Sequence, residues 1–491
     1  MFKIFSIGIR NFSKCPLRCQ VSKDHLHLIE NNLKKIRIFD EIDLYPAGID
    51  WKYVLNPANL SNIEDNIKKR KGNGDIIGLH RLNEDLKQTL KTGDQHEIEQ
   101  IIEAMYHKAV LLPNFSDPSS PIGAEENAEC VMKVGDAKNK SPTVDQIAKM
   151  YGWLREEQIS LYSMQRSYIL KKELADLETA LVRYTLNYLN DQVNKNLKTK
   201  QKDYFRVKGF ILVSVPDILH HSIIESCGFA TKGERNQVYK LDFMNEYGKY
   251  CLSGTSEMSL AGLLKNKVFN EKELPLNSIE NFESVTGLVL LRTQMGLITR
   301  LCAVSRCFRA EVSGSEREGK LYRLHEFTKV EMFVLTIGDL KVSSNMLEKI
   351  RAYQIELFSD LGIHFRVLNM PTHELGSPAF KKYDIEAWMP GNQFYGEISS
   401  TSNCTSYQSR RLHIKSSKDK TDLNQEQNYV HTLNGTACAV PRMLTTLIES
   451  NWDMENELVR IPSKLQCYMN GRTELKVPKD FRKAEPLRSF K

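Results

Sequence analysis

Residues 309–333 hold the side chains of this chain that are best suited to bind a charged ligand. The segment begins with Arg309 and Glu311, runs through a polar loop, and continues to Phe327 and Glu331. An arginine can pair with phosphate, a carboxylate with an amine, and an aromatic face with a base. The combination predicts two strands, joined by a loop, that bind a nucleotide beside a small ammonium-bearing substrate. An ordinary β-hairpin with solvated charges is the alternative that this stretch alone leaves open.

The chain as a whole, including the elements that must position these side chains, has the composition of an ordinary globular protein. The chain has 491 residues, of which 41% are hydrophobic and 26% charged, enough for about two to four domains. A formal net charge of +7 permits binding to nucleic acid without requiring it. The ten cysteines include no C-x-x-C pair, so neither a zinc ribbon nor a disulfide framework is expected. No run of about 18 apolar residues exists, so we expect no membrane span.

The first 23 residues carry basic and apolar side chains, and the first acidic residue is Asp24. The basic residues are Lys3, Arg10, Lys14, Arg18 and Lys23. A basic, acid-free, amphipathic start resembles a mitochondrial transit peptide and predicts a protein of the mitochondrial matrix. A disordered basic tail is the alternative.

Two amphipathic stripes on either side of a tight turn predict an antiparallel helical hairpin. Apolar residues recur at three- and four-residue spacing from Leu79 to Leu90 and from Ile98 to Ala109, with the turn at 92–94 between them. Basic side chains occur on both arms, namely Arg81, Lys87, Lys91, His96 and Lys108. Such a surface suits RNA phosphates. A packed helix pair with solvated basic faces is equally consistent with the spacing.

Three prolines and a glycine in residues 112–123 indicate a linker. We therefore place an N-terminal helical region at 24–111, a linker at 112–140 and a second domain at 141–491. In the second domain, strands are not followed one for one by crossover helices, which favours an α+β fold with an antiparallel sheet. The spacing of apolar residues predicts helices over 174–197, 339–361 and 434–450, and strands over 209–216, 364–370 and 383–390.

Several separate segments resemble a single family, the class II seryl-tRNA synthetases of bacterial and mitochondrial type. The segments are 307–333 (motif 2), 433–452 (motif 3), the helix and strand ending at Pro216 (motif 1), the Thr-x-Glu element at 254–257 and the stretch 396–411. Together they cover roughly residues 57–480. The resemblance implies a class II catalytic domain, an antiparallel β-sheet flanked by helices. The helical hairpin before it is shorter than the family's usual tRNA-binding arm.

The resemblance also implies an ATP site. It assigns Arg309 to the α-phosphate and Arg442 to the γ-phosphate as the catalytic cations, and a planar guanidinium suits both positions because it grips two oxygens at once. It places Glu311 at the adenine amino group and Phe327 against the ring. Glu397 and Ser400 are implied Mg²⁺ ligands, which suits the preference of that ion for oxygen. The remaining implied ATP contacts are Leu324, His325, Glu326, Ile398 and Ser399. The family usually has glutamine where Glu326 stands, and no role for this carboxylate follows.

The amino-acid site implied by the resemblance consists of residues around the ammonium and hydroxyl of serine. They are Thr255, Ser256, Glu257, Glu331, Asn434 and Thr436. A site that binds a buried hydroxyl rejects alanine strongly, because its own polar group is then left unpaired. Rejection of threonine depends on the room for one methyl group.

The implied function is that of a homodimeric enzyme which activates L-serine with ATP and transfers it to the 3′ end of tRNA(Ser) for mitochondrial translation. Two alternatives stay open. One is a catalytically inactive RNA-binding or partner protein on the same scaffold. The other is a class II synthetase for threonine or proline, against which the Thr-x-Glu element argues. Two further features are an apparent insertion at 276–298 and a loop at 313–320, where we expect the tRNA acceptor end to arrive.

Overall fold

The computed structural model describes residues 22–35, 46–72, 74–155, 163–190, 209–231, 236–242, 249–274, 299–311, 321–418 and 427–476. Three of the features predicted above lie outside these ranges: the transit peptide up to residue 21, the apparent insertion at 276–298 and the loop at 313–320.

The strands group into one large sheet and several small ones. In chain order they are β1 (Glu129–Val134), β2 (Leu154–Arg155), β3 (Ile169–Leu170), β4 (Ile211–Leu212), β5 (Ile218–His220), β6 (Lys240–Leu241), β7 (Tyr250–Leu252), β8 (Val268–Asn270), β9 (Arg300–Phe308), β10 (Glu326–Thr336), β11 (Phe365–Asn369), β12 (Lys381–Met389), β13 (Phe394–Thr405), β14 (Lys415–Ser417), β15 (Asn428–Tyr429), β16 (His431–Ala439), β17 (Trp452–Asp453), β18 (Leu458–Arg460) and β19 (Glu474–Lys476). The large sheet has eight strands in the order β1-β11-β12-β13-β16-β10-β9-β4. Its neighbours pair antiparallel except β4 and β9, which are parallel. The predicted α+β architecture is confirmed.

Helices cover this sheet and form a separate N-terminal group. In chain order they are α1 (Lys23–Lys35), α2 (Trp51–Val54), α3 (Leu60–Lys69), α4 (Ile76–Thr92), α5 (Gln95–Val110), α6 (Val144–Tyr151), α7 (Glu173–Leu189), α8 (His221–Ser226), α9 (Ser256–Leu263), α10 (Leu340–Ser359), α11 (Tyr407–Leu412), α12 (Val440–Ser450) and α13 (Ser463–Gln466). The main core lies between the sheet and α7, α10 and α12, with Leu181, Ile350 and Leu444 fully buried. None of the described helices is long and apolar enough to cross a membrane.

The predicted helical hairpin is confirmed as α4 and α5, which lie in the N-terminal module formed by α1–α5. Asp75 caps α4 by accepting from the Gly78 amide at 2.7 Å, and Asp94 caps α5 by accepting from the Glu97 amide at 3.1 Å. Gly93 ends α4 with φ of 77°, a conformation that glycine adopts without strain. Helix α1 packs against this hairpin, so a third helix thickens the short arm along part of its length.

The stretch predicted as a linker contributes directly to the catalytic body. Residues 129–134 form β1, the edge strand of the large sheet, which pairs with β11. Asn114 donates to the carbonyl oxygens of Pro378 at 2.8 Å and Cys404 at 2.9 Å. Backbone groups in an extended segment need partners, and the pairing with β11 supplies them along β1. The boundary between the linker and the second domain at residue 140 stays a prediction.

Two arginines hold the N-terminal module against the body that contains the large sheet. Arg70, at the end of α3, is 4% exposed and donates to the Ala379 carbonyl at 2.8 Å. Burial lowers the pKa of Arg70 to about 10. Arg411, in α11, donates to the Val110 carbonyl at 2.8 Å, where α5 ends. The base of the hairpin is therefore fixed by a helix of the other domain.

The helix predicted over 434–450 is wrong in its first third. Residues 434–439 belong to β16, where Asn434 pairs with Phe333 and Gly435 pairs with Thr401, and the helix begins only at Val440. A Cβ on Gly435 would lie 2.6 Å from Ile350 Cγ2, so the glycine allows close packing of α10 on the strand. The predicted strand at 209–216 is likewise reduced to Ile211–Leu212. The helix predicted over 174–197 is present as Glu173–Leu189, and residues beyond 190 lie outside the described ranges.

Candidate functional site

A cleft opens over the middle strands of the large sheet, where β10, β13 and β16 lie side by side. Its walls contain both arginines expected to contact phosphate and most of the other residues predicted for the nucleotide. The lining residues are Arg309, Glu311, Leu321, Tyr322, Arg323, Leu324, Phe327, Lys329, Glu397, Ile398, Ser399, Ser400, Thr436, Ala439, Pro441 and Arg442. Residues from sequence segments more than a hundred positions apart thus meet in one place.

Arg309, directly after the end of β9, lies close to Phe327 on the neighbouring strand β10. Arg309 Cζ lies 5.4 Å from the centre of the Phe327 ring, and its Nε donates to the Gly254 carbonyl at 3.3 Å. Glu311, with a side chain 5% exposed, pairs with Arg323 Nη1 at 3.2 Å. These contacts fix the guanidinium and the ring in the cleft wall, where a flat base and a phosphate could both reach them.

Arg442 occupies the first turn of α12 at the other end of the cleft. It donates from Nη1 to the Glu397 carbonyl at 2.8 Å and from Nε to the Tyr322 carbonyl at 3.2 Å. Its Cζ lies 4.4 Å from the centre of the Tyr322 ring, which leaves the guanidinium stacked on an aromatic face. The sequence prediction does not include Tyr322, although it lies only two residues after the predicted loop.

Glu397 is an anion held among cations. Its Oε2 lies 3.3 Å from Arg442 Nη1. Burial alone would raise the pKa of Glu397, but the positive charges of Arg442, Lys382 and Arg309 outweigh it and hold the pKa below its ordinary value. Glu397 and Ser400 line the same cleft, and a charged carboxylate together with a hydroxyl oxygen is a set of ligands that suits Mg²⁺. In the described part of the chain no three His, Cys, Asp or Glu residues converge on a metal position, so further oxygens would have to come from a ligand.

A second, more deeply buried group of side chains adjoins the cleft. We call it the inner pocket and define it by Thr255, Lys329, Glu331 and Thr436. Lys329 Nζ lies 2.5 Å from Glu331 Oε2 and donates to Thr255 Oγ1 at 2.7 Å. Thr436 Oγ1 donates to Glu331 Oε2 at 3.0 Å. Three residues predicted to bind serine thus converge on one point, with a lysine among them.

Lys329 is the most important residue that the sequence prediction missed. Lys329 is 5% exposed, contacts the other side chains of the inner pocket and also lines the cleft. Its position two residues before Glu331 on β10 was an available signal, because alternate residues of a strand point to the same face. The burial of its charge was not predictable from spacing, because it depends on Thr255 and Thr436, which belong to distant segments.

Glu257 lies beside the inner pocket and is held by two amides. Gln408 Nε2 donates to Glu257 Oε1 at 2.6 Å, and Asn434 Nδ2 donates to the same oxygen at 2.8 Å. Burial, reinforced by the negative charge of Glu331, raises the pKa of Glu257 to about 7. Gln408 is a second residue that the sequence prediction missed. A carboxylate of this kind can switch between neutral and charged forms near neutral pH.

Three predicted contacts lie away from the inner pocket and the cleft walls. Glu326 is half exposed and lies 3.6 Å from Arg306 Nε on the neighbouring strand, so its carboxylate does not line the cleft. His325 Nδ1 lies 2.7 Å from the Tyr239 hydroxyl and 3.0 Å from the Arg309 carbonyl, which supports the backbone beneath Arg309. Ser256 is fully buried at the start of α9, and its hydroxyl has no hydrogen-bond partner among the described residues.

The fold and the cleft define the class of the protein. Residues 286–451 match the family described as tRNA synthetase class II core domain (G, H, P, S and T). The structure resembles that of seryl-tRNA synthetase from Pyrococcus horikoshii complexed with ATP, with a TM-score of 0.65 and 28% sequence identity. That likeness covers 86% of this chain and 89% of the other. The chain is a class II aminoacyl-tRNA synthetase in its fold.

Similarity to curated proteins shows which family within this class the chain belongs to. Mitochondrial serine--tRNA ligase of Saccharomyces cerevisiae is 38% identical over 366 residues, which are 74% of this chain and 72% of the relative. The mitochondrial serine--tRNA ligase of Mus musculus is 36% identical over 373 residues, or 75% of this chain. The matched part spans 63% of the mouse relative's length. The chain belongs to the seryl-tRNA synthetase family.

Proposed function

We propose that the protein is a serine--tRNA ligase, which activates L-serine with ATP and transfers it to tRNA(Ser). The observation that carries this proposal is the junction of the inner pocket with the cleft. Glu331 and Thr436 are buried and hydrogen-bonded to each other, which suits an ammonium beside a hydroxyl. Arg309 and Arg442 line the adjoining cleft, which suits a polyphosphate. A pocket for a small hydroxyl-bearing amine beside a phosphate site is what serine activation requires.

ATP would lie in the cleft with its base against Phe327 and its phosphates between Arg309 and Arg442. The related Pyrococcus horikoshii structure is complexed with ATP, which supports ATP as the ligand. A carboxylate oxygen of serine attacks the α-phosphorus, the bond from that phosphorus to the bridging oxygen breaks, and pyrophosphate leaves. No protein base is needed, because the carboxylate is already a nucleophile. Arg309 would stabilise the charge that builds on the α-phosphate, so catalysis depends on positioning and electrostatics.

We propose Mg²⁺ as the accompanying ion, with Glu397 and Ser400 as the chain's ligands. Bound there, the ion would neutralise negative charge on the phosphate oxygens and so favour the departure of pyrophosphate. Its remaining ligands would be phosphate oxygens and water, as is usual for this ion. Glu397 is kept charged by Arg442, Lys382 and Arg309, which favours cation binding.

The second step would take place on tRNA(Ser), whose terminal 3′ hydroxyl attacks the seryl-adenylate and releases AMP. The N-terminal module offers exposed cations for the body of the tRNA, namely Arg81, Lys87 and Lys91 on α4. The relatives named mitochondrial support a role in mitochondrial translation, which agrees with the basic, acid-free start of the sequence. We propose that the protein acts in the mitochondrial matrix as a homodimer.

Charging of tRNA(Ser) by the purified chain tests this proposal. With ATP, Mg²⁺ and labelled serine, we expect labelled tRNA(Ser), and we expect none with labelled threonine or alanine. A catalytically inactive partner protein would bind tRNA without charging it. Binding of tRNA without charging would overturn the proposed enzyme activity in favour of the inactive RNA-binding protein.

A further inference from the structure

The inner pocket already holds an ammonium group, which the chain itself supplies. Lys329 Nζ lies 2.5 Å from Glu331 Oε2, 2.7 Å from Thr255 Oγ1 and 3.5 Å from Thr436 Oγ1. These oxygens belong to the side chains proposed to bind serine. A substrate ammonium that enters the pocket must therefore compete with Lys329 for the same partners.

Burial prevents Lys329 from simply turning away into water. Lys329 is 5% exposed and Glu331 is 2% exposed. A buried charge without a partner is strongly unfavourable, so any ligand that takes Glu331 must leave Lys329 with another anion. Serine brings one, because it carries a carboxylate as well as an ammonium.

The position of Lys329 fits such an exchange. Its side chain lines the cleft together with Arg309, while its ammonium contacts Glu331 in the inner pocket. It therefore lies at the boundary between the predicted sites of serine and of ATP. The carboxylate of serine has to occupy that boundary, because it must reach the α-phosphorus from a pocket that holds the ammonium.

We propose that Lys329 is a catalytic residue that changes partners, neutralising Glu331 in the empty pocket and pairing with the carboxylate of serine in the loaded one. This assignment rests on the proposed function, because it takes serine as the ligand. Lys329 then holds one carboxylate oxygen and leaves the other free to attack. Zwitterionic serine adds one charge of each sign, so its binding leaves the net charge of the site unchanged.

Binding of L-serine and of serinamide to the full chain tests the assignment. Serinamide keeps the ammonium and the hydroxyl but lacks the carboxylate, so the ratio of the two dissociation constants isolates what the carboxylate contributes. We expect the unaltered chain to prefer serine and the Lys329→Met variant to lose about tenfold or more of that preference in isothermal titration. Lys349→Met, a half-buried lysine on α10 outside the cleft, is the matched control and should keep the full ratio.

The outcomes separate the possible roles of the lysine. If Lys329 only neutralises Glu331, Lys329→Met changes the affinity for both ligands by the same factor and the ratio stays unchanged, which overturns the assignment. If Lys329→Met does not fold, Lys329→Gln carries the same test, because an amide can still donate to Glu331 and Thr255. Failure of the proposed function has a different signature, since the unaltered chain would then show no serine-dependent exchange of ATP with pyrophosphate.

Discussion

Gln408 donates a hydrogen bond to Glu257 at 2.6 Å, although its helix lies outside the cleft. The same amide group is fixed from its other side, because Thr432 Oγ1 donates to Gln408 Oε1 at 2.7 Å. Three residues further on, Arg411 holds the end of the hairpin at Val110. One short helix, α11, therefore contacts both a carboxylate of the candidate amino-acid site and the base of the N-terminal module.

Removing the Gln408 amide should weaken serine binding selectively. In Gln408→Met, we expect the KM for serine in ATP–pyrophosphate exchange to rise about tenfold, because Glu257 loses a hydrogen bond that fixes its charged form. The KM for ATP should stay unchanged, since Gln408 does not line the cleft. Gln466→Met, on the distant helix α13, is the control. Equal losses for both substrates would mean that Gln408 serves folding alone.

The raised pKa of Glu257 predicts a pH-dependent affinity for serine. Burial and the charge of Glu331 raise this pKa to about 7, while Gln408, Lys329 and Arg309 act in the opposite direction. Below that pH Glu257 is protonated and attracts an ammonium weakly, and above it the carboxylate is charged. We therefore expect kcat/KM for serine to rise with pH up to about 7 and then level off.

Exchange kinetics measured between about pH 6 and pH 8 check this profile. Glu257→Gln should lower the activity and remove the dependence on pH in that range, because an amide does not titrate. A profile in the unaltered chain that is flat from acidic to basic pH would contradict the role given to Glu257.

Arg442 should be essential for adenylate formation and dispensable for folding. We expect Arg442→Ala to lower the exchange rate by about 100-fold or more, because the cleft loses a cation that stabilises the reacting phosphates. Arg442→Lys should recover little, since an ammonium cannot reproduce the planar contact with Tyr322 and two acceptors. Thermal melting checks that both variants fold. Arg460→Ala, an exposed arginine paired with Asp453, is the control, and a wild-type rate in Arg442→Ala would refute the assignment.

The hairpin should matter for tRNA and not for serine activation. Deleting residues 76–108 is expected to spare exchange and impair charging, but it also removes buried Leu79 and Leu86 from the N-terminal core. A milder variant, Arg81→Ala with Lys91→Ala, changes only exposed side chains of α4. We expect unchanged exchange, a higher KM for tRNA(Ser) and a weaker dependence of charging on salt. Undiminished charging in this double variant would show that the hairpin's basic residues are not a tRNA contact.

Much of the site could be predicted because its residues lie in short segments with a strict order of charged and aromatic side chains. Arg309, Phe327 and Arg442 all reach the cleft as expected. Lys329 could not be placed in the same way, because a lysine in a strand is normally solvated. Its burial follows from Thr255, 74 residues earlier, and Thr436, 107 residues later.

The wrong start of the predicted helix at 434, and the position of Glu326, also have physical causes. Asn434, Gly435 and Thr436 were assigned to a helix because an apolar helical pattern follows them without a clear break. The structure ends the strand at Ala439, and Pro441 then lies in the first turn of α12, where its missing N–H costs nothing. The resemblance groups Glu326 with the nucleotide contacts, which stays a prediction, but its carboxylate does not line the cleft. Residues next to each other in a strand point to opposite faces, and Glu326 lies on the side of Arg306.

The exchange of labelled pyrophosphate into ATP by the unaltered chain, with serine, threonine and alanine compared in parallel, tests the central claim most directly. We predict rapid exchange with serine, and at least about 100-fold slower exchange with alanine, which leaves the buried hydroxyl partner unsatisfied. Threonine should support little exchange, because its extra methyl group has to fit beside Thr436. Exchange driven best by threonine, or no exchange with any of the three, would contradict the assignment of the inner pocket to serine.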